Sequence, residues 1–195
     1  MQNLGKFKSN KWRLSDLVTG DEGWFYHRHI GKKQSTQSWV GEGENPRTIV
    51  RRLQNEPKTM FCIFFKTTGP VIVRYFEQGV TINNKTFKSN CLYPLVKALN
   101  KQRPTSGTKN IKIHYDNARP HIHFSVKKYI KSKQLIIMDH PPYSPDLAPS
   151  DFWLFDYIKE RLTSNPDTKS LMKQITGIVN SIPKEEYMKR HFKSG

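Results

Sequence analysis

"NIKIHYDNARPHIHFSVKKYIKSK", Asn110 to Lys133, changes its hydrophobic period partway along. Ile111, Ile113 and Tyr115 alternate with polar residues, the pattern of a half-buried strand. From Arg119 onward, Ile122, Val126 and Tyr129 recur at helical spacing. Pro120 stands near the helix start, where a missing N–H costs nothing. "LIIM" at 135–138 then reads as a short buried strand. Strand, helix and strand in succession are the building unit of an α/β sheet, and the first strand here ends on an acid, Asp116.

Upstream, "MFCIFFKTTGPVIVRYFEQG" (Met60–Gly79) holds two apolar runs separated by Lys66-Thr67-Thr68-Gly69, a β-hairpin pattern. Ser15–His27 reads as a strand with a bend at Gly20 or Gly23. Residues 84–101 place Phe87, Cys91, Leu95 and Leu99 at four-residue spacing, a helix that Pro94 should kink or interrupt. Downstream, Phe155, Ile158 and Leu162 mark one helix face, and Leu171, Ile175, Ile178 and Ile182 another. The expectation is an α/β fold with a central mixed β-sheet flanked by helices. Residues 1–13 read as a basic linker remnant and 14–195 as one domain. Within it, residues 28–58, rich in Gly, Ser, Gln and positive charge, form a long arm, and loops of that length are more often functional than not.

A chain of 195 residues with 35% hydrophobic and 12% aromatic content has enough apolar material for a packed core. Lys and Arg total 33 against 16 acidic residues, a formal net charge of +17. Such a balance points to a polyanionic partner, because each phosphate neutralised releases condensed counterions. The two cysteines, Cys62 and Cys91, lie among apolar residues and read as reduced, buried thiols. No apolar run approaches membrane-span length, and "MQNLGKFKSN" lacks a signal-peptide core. A nuclear or cytoplasmic protein is expected.

Acids at element ends carry the chemistry. Asp21 lies in "VTGDEGW" (18–24), and Asp116 closes the strand above. Asp151 follows a loop stiffened by four prolines in "HPPYSPDLAPSDFWLF" (140–155). Neighbouring strands and an adjoining helix could bring the three together. Converging carboxylates repel unless a cation lies among them, and hard oxygen ligands suit Mg²⁺ or Mn²⁺. The competing readings are ordinary ones. Asp151 could be a helix cap, and Asp146 reads as part of a proline-set turn. Glu22, next to Asp21 on a strand, points to the opposite face. Asp139 and Asp156 read as surface or outer charges. His27, His29, His121 and His123, with the cysteines, offer no CxxC or HExxH spacing for zinc. Trp24, Phe152, Trp153 and Phe155 read as core, and Trp39 as the aromatic that meets a partner.

At the three acidic motifs the sequence resembles the catalytic domains of mariner-family DNA transposases. "VTGDEGW", "HYDNARPH" and "YSPDLAPSDFWLF" occur in the family's order, and 34 residues separate Asp116 from Asp151, as in the mariner pattern. The likeness runs from about Leu14 onward, although Gly23 stands where relatives often have a larger residue. The resemblance implies an RNase H-like fold, with Asp21, Asp116 and Asp151 as catalytic ligands for two Mg²⁺ or Mn²⁺ ions. It also implies cleavage at transposon ends, joining of the 3′-hydroxyl into TA dinucleotides, and a homodimer reached by the arm. No membrane and no small-molecule cofactor are implied, and the setting is nuclear. Candidate DNA, phosphate or outer-shell residues are Asn117, Arg119, His121, Arg51, Arg52, Lys127 and Lys128. The family's helix-turn-helix region has no counterpart in these residues, so recognition of particular ends is not expected of them. The alternative is a decayed or domesticated copy that binds DNA without cutting it. Either way, DNA affinity measured across a salt series should fall log-linearly, with a slope of about −0.9 per phosphate contact; a flat dependence would remove the electrostatic argument.

Overall fold

The computed structural model describes residues 13–30 and 55–191. Residues 1–12 of the linker remnant (1–13) and residues 31–54 of the arm (28–58), including Arg51, Arg52 and Trp39, lie outside them.

Strand β1 (Leu17–Tyr26) pairs antiparallel with β2 (Lys58–Lys66) from Val18↔Lys66 to Tyr26↔Lys58. The ladder is continuous, so neither Gly20 nor Gly23 bends the strand as expected. Both are there for close approach. A Cβ on Gly20 would lie 2.4 Å from the Phe64 ring and 2.6 Å from the Ile63 carbonyl oxygen, and one on Gly23 would lie 3.2 Å from the Phe155 ring. Strand β3 (Gly69–Tyr75) returns through Thr67-Thr68, with Gly69 at φ +121°, the hairpin the sequence predicts. On the other side of β1, β4 (Lys112–His114) and β5 (Ile136–Ile137) run parallel, giving the order β3-β2-β1-β4-β5.

Helices cover both faces, so β2 is apolar on both sides, as central strands of such sheets are. Cys62 and Phe64 face one cluster with Val18, Leu95, Leu99, Ile113 and Val126; Phe61, Ile63 and Phe65 face the other, with Phe155, Ile158, Leu171 and Ile175. The expected central mixed sheet flanked by helices is the architecture.

The helix at 84–102 is interrupted ahead of Pro94, one of the two outcomes expected of a proline there. Helix α1 (Asn84–Phe87) passes into a π-helical turn (Lys88–Leu92), and α2 (Tyr93–Gln102) begins with Pro94 in its first turn. There the Tyr93 N–H bonds the Lys88 carbonyl, five residues back. A proline tolerates a first turn, where its nitrogen owes no bond. Phe87, Cys91, Leu95 and Leu99 are all buried, as their spacing predicts.

The next helix is split. Helix α3 (Arg119–Ile122) ends before His123, whose side chain caps α4 (Phe124–Ser132) by accepting from the Ser125 N–H. The break turns Ile122 out to solvent, and the buried stripe is Val126 and Ile130. Ile136 of β5 is also exposed, as an edge strand allows. A π turn (Ser150–Leu154) leads into α5 (Phe155–Arg161), followed by α6 (Thr168–Ser181), capped by Asp167, and α7 (Lys184–His191), which the sequence reading did not anticipate. Its anchor is Tyr187, buried with its hydroxyl donating to the Val179 carbonyl.

Gly20→Ala tests the role of the β1 glycines. Overpacking against Phe64 and the Ile63 carbonyl should cost about 1–3 kcal/mol in denaturant unfolding, whereas a neutral result would mean β1 has room there.

Candidate metal centre

The parallel register Thr19↔His114, continued by two residues, sets Asp116, just past the carboxyl end of β4, level with Asp21 midway along β1; ligand sites of parallel sheets form beyond such strand ends. Asp151 arrives from the opposite layer, in the first turn of the helix at 150–161. It is not a cap: no side-chain cap bond is made at that helix start, and Asp151 contributes only its N–H, bonded to the Ala148 carbonyl.

Electrostatics tie the three together. The Asp21 carboxyl is pushed up to about 8, first by burial, then by the charges of Glu22, Asp116 and Asp151, against a bond from the Glu22 N–H to its Oδ1 at 2.7 Å. Asp151 is raised by burial and by Asp116. Asp116 goes the other way. His121 Nδ1 donates to its Oδ1 at 2.6 Å and the Ala118 N–H donates to the same atom at 3.0 Å, which holds the carboxyl below its ordinary value.

His121 is the residue whose setting the sequence conveyed least. It is only 2% exposed, and its Nε2 lies 3.1 Å from Glu22 Oε2. Both ring nitrogens face carboxylates, which only accept, so both carry protons and the ring is an imidazolium. Burial opposes that charge, but the bonds to Asp116 and Glu22 prevail and hold His121 up to about 10. Phe87, centroid 4.2 Å away, and Tyr115 enclose it. Glu22 does point to the opposite face from Asp21, paired across the ladder with Cys62, yet through His121 it reaches Asp116.

A second chain holds the proline loop. Thr19 Oγ1 lies 3.2 Å from His114 Nδ1, and His114 Nε2 lies 3.0 Å from His140 Nδ1. Burial, then the neighbouring His140, pushes His114 down to about 4. The Asn117 side chain donates to the His140 carbonyl, so it fastens the loop. A cavity of about 410 Å³ lies between Asp116, Asn117, His140, Tyr143 and Asp151. A second, of about 490 Å³, joins Asp151 to Trp24, Arg28 and Lys159. Arg119, Lys127 and Lys128 are exposed on α3 and α4. Trp24 corrects the sequence expectation. It is 46% exposed, with Lys58 Nζ 4.8 Å above its ring, while Trp153 and Phe155 are core and Phe152 is half-buried.

The donor set suits a divalent ion. The carboxylates of Asp21, Asp116 and Asp151 lie near enough to feel one another's charge, although they do not bring one oxygen each within 4.8 Å of one another. Burial, then Glu22, Asp116 and Asp151, favour the protonated form of Asp21 until positive charge is added.

A family profile described as transposase (partial DDE domain) matches residues 29–109, a span between Asp21 and Asp116. The chain is 29% identical over 154 residues to the mariner Mos1 transposase of Drosophila mauritiana, covering 78% of this chain and 43% of that protein. Its fold superposes on a Mos1 transposase paired-end complex with the left transposon end at a TM-score of 0.86, with 26% identity over 98% of this chain and 56% of the other. A Mos1 mariner paired-end complex with Mn gives 0.85 at the same identity and coverage. The chain thus spans less than half the length of its curated relative.

The carboxyl of Asp21 gives a pH test. Folded, it keeps its proton up to about 8; unfolded, only to about 3.8. The folded state therefore binds the extra proton within that window, and this group's contribution to stability falls as pH rises through it. Asp21→Asn removes the contribution. The melting temperature of metal-free wild type should drop relative to the variant between about pH 5 and pH 8, and a gap that does not change with pH would contradict the crowding of Asp21.

Proposed function

We propose that the chain is a mariner-family transposase catalytic domain with an RNase H-like fold, as its likeness to the Mos1 transposase supports, and that it carries out two-metal phosphodiester chemistry on DNA. In this reading it hydrolyses a strand at a transposon end and then joins the freed 3′-hydroxyl to target DNA at TA dinucleotides. The observation that carries the proposal is the placing of Asp21, Asp116 and Asp151 within reach of one another's charge. Burial first, then Glu22, Asp116 and Asp151, push the Asp21 carboxyl up to about 8, and a cation among them would offset that.

Asp21, Asp116 and Asp151 are the ligands in this reading, and Mg²⁺ or Mn²⁺ is the ion. A bound pair of such ions would activate the attacking oxygen and neutralise the leaving one. The protein's own residues supply orientation. His121 and the Ala118 N–H fix Asp116 through Oδ1, and neither of these bonds uses Oδ2. Glu22 holds the far side of the imidazolium, so the orientation of Asp116 is set from β1 as well as from α3. Asp151 is carried by a helix packed into the core through Trp153 and Leu154. Asn117 and the His114–His140 pair restrain the loop before it. A ligand set held by packed elements in this way needs little rearrangement when the ion arrives.

DNA is the partner, with transposon ends as substrate and a homodimer as the working form, in the nucleus. The Mos1 structures named for paired ends, and for Mn, support DNA and divalent-metal use in this family. Lys127 and Lys128 on α4 and Arg119 on α3 offer phosphate contacts beside the site, and Arg51 and Arg52 belong to the arm. The binding-only alternative, a domesticated copy, has less behind it, because each of the three aspartates is present.

Mn²⁺-dependent nicking of supercoiled plasmid tests the reading. Wild type should nick and Asp116→Ala should fall to background. Wild type nicking no faster than Asp116→Ala, while both bind DNA, would leave binding alone. His121→Gln should lower Mn²⁺ affinity by about 10–100-fold, the usual cost of losing a partner that orients a ligand, with Asp116 itself intact. Unchanged affinity would make His121 a packing residue only.

A further inference from the structure

On the far face of β1 from Asp21 lies a second group of ligand atoms, belonging to Glu22, Cys62 and Cys91. One carboxylate oxygen and both Sγ atoms lie within 4.8 Å of one another, the one such three-residue cluster of His, Cys, Asp or Glu among the described residues. Glu22 and Cys62 are direct partners across the β1–β2 ladder. Cys91 comes down from the π turn between α1 and α2. Both thiols are free and buried.

We propose that Glu22, Cys62 and Cys91 form a site for a single thiophilic divalent cation of the zinc class, separate from the three aspartates. Two buried thiols in an apolar cluster would by themselves be small apolar filler. What distinguishes this pair is the carboxylate facing it. The Glu22 side chain is 9% exposed, and its Oε1 lies 3.6 Å from Cys91 Sγ. A tetrahedral zinc ion, with Zn–S about 2.3 Å and Zn–O about 2.0–2.2 Å, spans a sulfur–oxygen edge of about 3.5 Å. The spacing in the metal-free fold is therefore already that of the liganded edge, with a thiol proton where the ion would lie. Soft thiolates select zinc-class ions, whereas the three aspartates are all-oxygen and suit Mg²⁺ or Mn²⁺. On binding, the ion displaces one proton from each thiol. Two positive charges arrive and two leave, so the net charge of the core is unchanged.

The site also has an outer partner. Glu22 can give Oε1 to the ion while Oε2 stays on His121, 3.1 Å away, so the ligating carboxylate is itself held by a hydrogen bond, as such ligands commonly are. His121 in turn holds Asp116, so an ion at the thiols would act on the orientation of Asp116 through two hydrogen bonds. Neither cysteine lies in a zinc-spaced motif, because the three ligands come from β1, β2 and a helix turn.

The chain has only two cysteines, so any thiolate-to-metal charge-transfer absorption reports this site alone. Cd²⁺ titrated into the folded protein, with Mg²⁺ in excess to occupy the aspartates, should give that ultraviolet band, saturating at one equivalent. The band should vanish in Cys62→Ala and Cys91→Ala, persist in Asp21→Asn and Asp116→Asn, and require at least about tenfold more Cd²⁺ in Glu22→Gln. No band in folded wild type would overturn the proposal. So would a band that grows only as the circular dichroism of the fold is lost, or one whose Cd²⁺ dependence Glu22→Gln leaves unchanged. The Glu22→Gln comparison decides the matter even if the cysteine variants do not fold. Because the readout is thiolate absorption rather than DNA cleavage, its failure would leave the transposase reading untouched.

Discussion

Acidic side chains brought within reach of one another's charge, and partly buried there, are the condition around which this fold is arranged. Asp21, Asp116 and Asp151 approach one another from the middle of β1, the end of β4 and a helix start, with Glu22 one residue away from Asp21. One buried cation, His121, offsets part of that charge and is spent on Asp116 and Glu22. Asp21 is left without such an offset, and burial first, then Glu22, Asp116 and Asp151, raise its carboxyl to about 8. The rest of the architecture holds these groups where they would otherwise repel one another. The ladders fix β1 against β2 and β4, and two apolar layers clamp the sheet.

The glycines of β1 belong to the same constraint. Gly20 lets Phe64 pack directly on the strand, and Gly23 does the same for Phe155 on the opposite face. Phe155 follows Asp151 by four residues, so the close contact at Gly23 draws the helix that carries Asp151 toward the strand that carries Asp21. The proline loop is fastened from below by His114, His140 and Asn117. Tyr143, at φ +55° and fully exposed, lies on the rim of the cavity between Asp116 and Asp151.

Much of this was legible in the sequence, and the exceptions have physical reasons. The hairpin, the strand ending near Asp116 and the helices at 84–102, 155–161 and 168–181 follow from periodicity, which registers one buried face at a time. The three aspartates stood out because each lies within a distinctive motif, Asp116 just after a strand and Asp151 at a helix start. What escaped was anything dependent on two elements meeting. Glu22 was read as a bystander because strand alternation turns it from Asp21; only the packing of α3 beneath it brings His121 into reach. Cys62 and Cys91 are 29 positions apart and fit no metal spacing. Trp24 has the composition of a core residue but lies past the edge of the helical layers, where Lys58 covers it. The split at His123 was hidden because a helix stripe does not record ψ, and one extended residue there was enough to expose Ile122.

The central claim is that these aspartates share divalent cations. Anomalous diffraction from crystals soaked in Mn²⁺ tests it most directly. Manganese peaks bounded by the carboxyl oxygens of Asp21, Asp116 and Asp151, and absent from Asp116→Asn crystals, are the predicted result. Crystals that take up manganese only at other surfaces, with the three carboxyls left facing water, would contradict it.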